Sequence, residues 1–236
     1  MTTADGPHRA HAWTAAVRQR VALGRLLPLG GPADGAWIAE RAAVAVLRRA
    51  VAGPAPGPVL GELRIAVADP ESAPAAQVPP PASALPPGPL RIEATMSATA
   101  DRPLPAAAEA LRAALLSAAA RRLGLVVTEV DLQVTGLLDG SPGQVEPEPA
   151  EVRPVSAENA AGRAAAGVTG VAALTGVLGP AVRTGADHVQ VELATESGHR
   201  ALDVARAVRE AVTEASEGRP SVGVLVTAVA GDASAG

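Results

Sequence analysis

At 236 residues with 48% hydrophobic content, the chain is long enough for one large or two small domains around a buried core. It has no Cys, Phe or Tyr, its only Trp are Trp13 and Trp37, and all 20 of its basic residues are Arg. These absences exclude thiolate and iron–sulfur chemistry, disulfides and a lysine Schiff base, and the net charge of −4 gives no electrostatic footprint for nucleic acid.

Residues 1–10 carry no basic-then-hydrophobic pattern, so no export signal is expected. His11 to Leu29 predicts a helix with Trp13, Ala16, Val17, Val21 and Ala22 on one side and Arg18, Arg20 and Arg25 on the other. LPLGGPADGA, from Leu27 to Ala36, reads as a turn cluster, with Asp34 as N-cap of a helix over 36–51. A strand over 57–67 follows. Residues 69–89 hold eight prolines and no periodicity, which predicts a mobile, solvated loop or polyproline spacer that could be deleted without loss of the fold.

Next come a strand at 90–98, a helix at 104–122 and a strand at 125–135. That helix is apolar nearly all round and should be covered on both sides. Asp139 to Pro154 is acidic and Pro-rich and reads as a linker. The second half predicts a helix at 156–166 opened by Ser156, a strand at 168–177, a half-buried strand at 188–195, a helix at 200–216 and a strand at 220–229. The uncharged run from Ala164 to Val182 has the length of a membrane span, but Gly167, Gly170, Gly176, Gly179 and Pro180 argue against one.

The two halves match at a constant offset of 97 residues. Ile92, Ala94 and Met96 correspond to Val189, Val191 and Leu193, and Leu104, Ala107, Ala108, Leu111, Ala114, Leu115 and Ala118 to the helix face from Ala201 to Ala215. The fold expected is α+β: a tandem duplication of a helix-strand-strand-helix-strand domain, each with a three-stranded sheet and its helices on one face. The organisation expected is an N-terminal helix and turn segment at 1–35, a first copy at 36–138 carrying the 69–89 insertion, a linker at 139–155 and a second copy at 156–230. On this reading 154–232 should fold alone.

Several local patterns resemble the alkaline-shock-protein family of bacterial envelope stress proteins, the Gls type. Gly170-Val171 with Leu174 is similar to the family's turn-strand. The run from Asp203 to Val212 (DVARAVREAV) is similar to its amphipathic helix, and Val222, Val224 and Val226 to its closing strand. In the first half, Leu123 to Asp131 resembles the family's closing segment. The likeness covers most of 156–230 and the latter part of the first half, and it describes a divergent, duplicated, actinobacterial-type member. It implies a non-enzymatic scaffold of the envelope stress response, cytoplasmic and peripheral to the inner face of the membrane. It also implies a membrane-anchored protein partner and self-association.

No catalytic, cofactor-binding or metal-ligating residue is assigned. His8, His11, His188 and His199 are scattered without ligand spacing, and Ser197-Gly198-His199 lacks a nucleophile elbow. The Arg206 and Arg209 stripe on the 200–216 helix is the expected partner contact. The rival reading is an enzyme or small-molecule binder with a pocket between the copies that includes Arg25, Asp34 and Trp37.

Overall fold

Two sheets organise the computed structural model, which describes residues 23–52, 58–99, 103–138 and 152–231. The smaller has three strands, β3 (Val59–Val67), β4 (Leu90–Thr99) and β5 (Val127–Leu138), in that order. The larger contains β1 (Leu26–Leu29), β2 (Ala36–Ala39), β9 (Ser221–Ala230), β8 (His188–Glu196) and β6 (Val171–Leu174) in that order, with β7 (Val182–Thr184) also paired to β8. The helices are α1 (Glu40–Val51), α2 (Leu104–Ala118), α3 (Ala160–Ala166) and α4 (Ala201–Glu214).

The expected mixed α+β class is what the chain forms. β4 shows why: Leu90, Ile92, Ala94, Met96 and Ala98 are buried while the residues between them face outward. β4 is antiparallel to β3 and parallel to β5, and β8 is antiparallel to β6 and parallel to β9. Each parallel pair requires a crossover, supplied by α2 and α4. Each half therefore contains an antiparallel strand pair followed by a helical crossover to a parallel strand, although the second half carries an extra strand, β7. The likeness is one of topology, and the second sheet has six strands where three are expected.

The additional strands come mainly from the N-terminal stretch. Leu26–Leu29 is a strand rather than the end of a helix, and Ala36–Ala39 is a strand rather than a helix start. The two form an antiparallel hairpin, and β2 then lies parallel to β9, with Trp37 opposite Leu225. Every residue of both strands is buried. A four-residue run buried on both faces has no alternation to betray it. Residues 11–22 of the expected helix lie outside the described residues.

Helix α1 consequently begins at Glu40, after Ala39, with no side-chain cap. Helix α3 is capped by Asn159, whose Oδ1 accepts from Gly162 N at 2.8 Å, rather than by Ser156. Between β6 and β8 the chain adds β7, which the sequence did not suggest. The run 164–182 is thus spread over the end of α3, β6 and the start of β7. No helix among the described residues is long and apolar enough to cross a membrane.

Two further expectations are corrected. Strand β8 is covered on both faces, for Gln190 and Glu192 are 4% and 0% exposed. The chain after β6 closes over Glu192: Leu178 N donates to its carboxylate at 3.0 Å and Glu192 N donates to Ala181 O. The 69–89 segment is packed rather than free. Val78 is buried against Gly35, Gln77 N donates to Pro32 O and Leu85 N donates to Leu26 O. The Gln77 and Leu85 amides find acceptors on the hairpin, which anchors a stretch unable to form a ladder of its own.

A single hydrophobic cluster contains residues of both sheets. Helix α1 joins them, touching α2 and β3 on one side and β2 and β9 on the other. Helix α2 continues into a π turn, Ala119–Leu123, that ends at Gly124 with φ +86°. A Cβ at Gly124 would collide with Leu202 of α4. Gly124→Ala combines this clash with a left-handed backbone and should cost about 2 kcal/mol or more, read as a lowered urea midpoint with unchanged m-value. A neutral substitution would show that the π turn does not seat on α4.

Candidate functional site

The residues singled out from the sequence are mostly engaged in holding the hairpin in place. Glu40 opens α1 and accepts from Arg25 Nη2 at 2.9 Å, Arg25 Nε at 3.2 Å and Ile65 N at 3.3 Å. Arg25 Nη2 also donates to Ile65 O at 2.6 Å. This cluster ties the start of the hairpin to strand β3. At the other end, Asp34 sits in the hairpin turn, where Oδ2 accepts from Gly31 N at 2.7 Å. Arg206 Nε donates to Asp34 Oδ1 at 2.8 Å and Arg206 Nη2 to Oδ2 at 3.2 Å, a fork on one carboxylate. Arg209 donates to the carbonyls of Ala33 and Asp34 and, through Nε, to Val222 O at 2.8 Å.

Arg206 and Arg209 are therefore clamps between α4 and the hairpin, not a free stripe for a partner. Reversing their charge should damage the fold. The residues named for the rival pocket are engaged in a similar way. Arg25 and Asp34 are taken by Glu40, Ile65 and Arg206, and Trp37 is a 2% exposed core residue of β2. The buried Trp37 Nε1 has no hydrogen-bond partner among the described residues. His199 Nδ1 lies 3.2 Å from Glu196. His188 stands at the start of β8. No group of three or more His, Asp or Glu that could hold a metal ion occurs among the described residues. His8, His11, Trp13, Arg18 and Arg20 lie outside them.

The two edges of the three-stranded sheet differ. On β3, the N–H and C=O of Ile65 meet Glu40 and Arg25, and Arg48 donates to the carbonyls of Leu60 and Gly61. Charged side chains thus close that edge. On β5, Arg112 Nε donates to Val130 O at 3.0 Å, and no described strand pairs beyond it. Strand β5 is 12 residues long and exposes Val134 and Leu137, 42% and 63% accessible, with Val126 just before it at 46%. The outward face of this sheet is polar, with Arg64, Glu93 and Asp131 in register across the three strands. Sequence reading placed this strand at 125–135, whereas it runs from Val127 to Leu138.

Fold and surface define an α+β protein of two linked sheets with one closed and one open edge. Compared with family models, curated proteins and solved structures, the chain matches none.

The carboxylates of the clamps set a pH dependence. Burial alone would raise the pKa of Asp34, but hydrogen bonds from Arg206 and Gly31 N and the nearby guanidinium charges outweigh it and hold it below its ordinary 3.8. Burial opposes Glu40 in the same way, and Arg25 and Ile65 N hold it below 4.5. Both groups bind protons more weakly folded than unfolded, so their stabilisation is complete above those ordinary values and is lost as pH falls through the lower folded ones. The urea midpoint should be steady near neutrality and fall in acid, and Asp34→Asn should lower the neutral plateau and flatten the acid slope. Arg206→Glu should cost about 1–3 kcal/mol at neutral pH. An unchanged midpoint in Arg206→Glu would restore that stripe as a free surface.

Proposed function

We propose that the chain is a non-enzymatic interaction protein whose protein partner adds a strand to the open edge of β5. The observation that carries this reading is the contrast between the two edges of one sheet. Natural sheets close edges they do not use, with charged side chains among the commonest means. Here β3 is closed by Arg25, Glu40 and Arg48, whereas β5 is long, open along most of its length and flanked by exposed Val134 and Leu137. An added strand would find main-chain groups for affinity and these two side chains for selectivity.

The envelope-stress class, with a membrane-anchored partner, rests on the sequence resemblance alone. The stretches that carry it form α4, β9, β6 and the start of β5, all scaffold elements. Under this reading the partner does not meet α4, whose arginines are engaged, but the far side of the smaller sheet.

The test is a pull-down from the native host with membranes retained, using the wild-type chain and a Val134→Lys, Leu137→Lys double variant. Both positions are exposed, so stability should change by no more than about 0.5 kcal/mol at each. The wild type should retain a partner that the variant loses while its far-UV spectrum is unchanged. The same proteins captured by both chains would contradict a β5 docking edge.

A further inference from the structure

Strand β5 carries two rows of side chains, and its register with β4 sorts them. Val130, Val134 and Leu137 stand opposite Ile92, Met96 and Ala98. Those three β4 residues are buried, at 2% exposure or less, so this row lies on the core face of the sheet. Val130 is buried with them, yet Val134 and Leu137 are exposed. The apolar row is thus covered on β4 and left uncovered toward the end of β5. The other row turns outward. There Glu129 and Asp131 stand opposite Arg91 and Glu93, and β5 itself contains no basic residue.

The cations around this outward row leave it short of positive charge. Arg91 pairs with Glu93 at 2.7 Å and reaches Asp131 only at 3.9 Å. Arg112 pairs with Glu109 and donates to Val130 O. Glu129 is exposed and has no hydrogen bond or ion pair to any described residue. Asp131 keeps 70% of its side-chain surface accessible. The main chain adds a separate constraint. Ile65 directs its N–H and C=O outward to Glu40 and Arg25, so its antiparallel partner Ile92 directs its own groups toward β5. Val130, in register with Ile92, therefore points to the free edge, where Arg112 meets its carbonyl. By the same alternation Leu132 and Val134 face that edge, and Leu137 does so beyond the register shift that precedes Gly136.

We infer that the segment docking on β5 is an extended, alternating one, basic on the face beside Glu129 and Asp131 and apolar on the face beside Val134 and Leu137. The inference rests on the β5 docking edge proposed above and names what that edge selects. Side chains directly opposite one another on paired strands lie about 4.5–5.5 Å apart, so opposite charges there attract and like charges repel. A long cationic side chain opposite Asp131 also reaches Glu129 on the diagonal. On the other face, Val or Leu continues the apolar row by one strand and takes Val134 and Leu137 out of water. A second copy of β5 offers the apolar row but no cation, which makes it the poorer complement.

The probe is a synthetic peptide of about eight residues alternating Arg and Val, titrated into the isotope-labelled full chain at low ionic strength and followed by amide NMR shifts. Saturable shifts at Leu132, Val134 and Leu137 are expected, with affinity falling as salt rises. A Glu/Val peptide and an Arg/Ser peptide of the same length should each bind about tenfold more weakly or worse. In the Glu129→Arg, Asp131→Arg double variant the order of the Arg/Val and Glu/Val peptides should reverse. If that variant fails to fold, Glu129→Gln with Asp131→Asn should narrow the gap between them. Equal binding of the Arg/Val and Glu/Val peptides to the wild type would overturn the basic face, and equal binding of the Arg/Ser peptide would overturn the apolar one. No saturable shift on β5 with the Arg/Val peptide would overturn the inference as a whole. The edge itself is judged separately, by whether the Val134→Lys, Leu137→Lys variant loses its captured partner. A dimer seen in sedimentation that this variant dissociates would give the edge to a second copy and overturn the basic segment.

Discussion

The parallel pairing of β2 with β9 is the contact on which the remainder of the molecule depends. It brings a hairpin from the beginning of the described chain into register with its last strand, and α1 leaves that hairpin to bridge the two sheets. Leu27, Leu29 and Ile38 of the hairpin are fully buried, and each such side chain contributes about 1.5–3 kcal/mol. The polar clusters then fix its position at both ends. Arg25 and Glu40 hold it to β3, and Asp34 is held by Arg206 and Arg209 of α4. Because both clusters span elements far apart in sequence, they specify arrangement as much as they stabilise it.

Much of the fold was legible because its crossover units follow strong periodicities. The i, i+3, i+4 spacing of Val204, Ala205, Val208 and Val212 gave α4, and the alternation of Leu90, Ile92, Ala94 and Met96 gave β4. What escaped were elements whose identity is set by tertiary neighbours. The hairpin is short, glycine-flanked and buried on both sides, so LPLGGPADGA looked like a turn alone. Gln190 and Glu192 looked solvent-facing because nothing local announces that the chain after β6 will cover them. The proline-rich segment was misread for the same reason, since its acceptors, Pro32 O and Leu26 O, belong to that hairpin.

Functional residues suffered most from this locality. Arg25, Asp34, Trp37, Arg206 and Arg209 drew notice as charged or aromatic oddities, yet four are clamp members and one is core. The surfaces that carry the functional reading lacked any sequence signature. The open edge of β5 is visible only against the closed edge of β3. In this chain an arginine's role is decided by whether a backbone carbonyl or carboxylate lies within its reach.

The central claim is that the hairpin makes the two halves one cooperative unit, so the second half should not stand without it. Removing the hairpin would strip β9 of one of its two partners along Val224, Leu225 and Val226, take Asp34 from Arg206 and leave Arg209 with Val222 O alone. The direct measurement is thermal unfolding by far-UV circular dichroism of fragment 154–232 beside the full chain. The account predicts a broad, non-cooperative change for the fragment and a single sharp transition for the full chain. A sharp two-state melt of the fragment alone would contradict it.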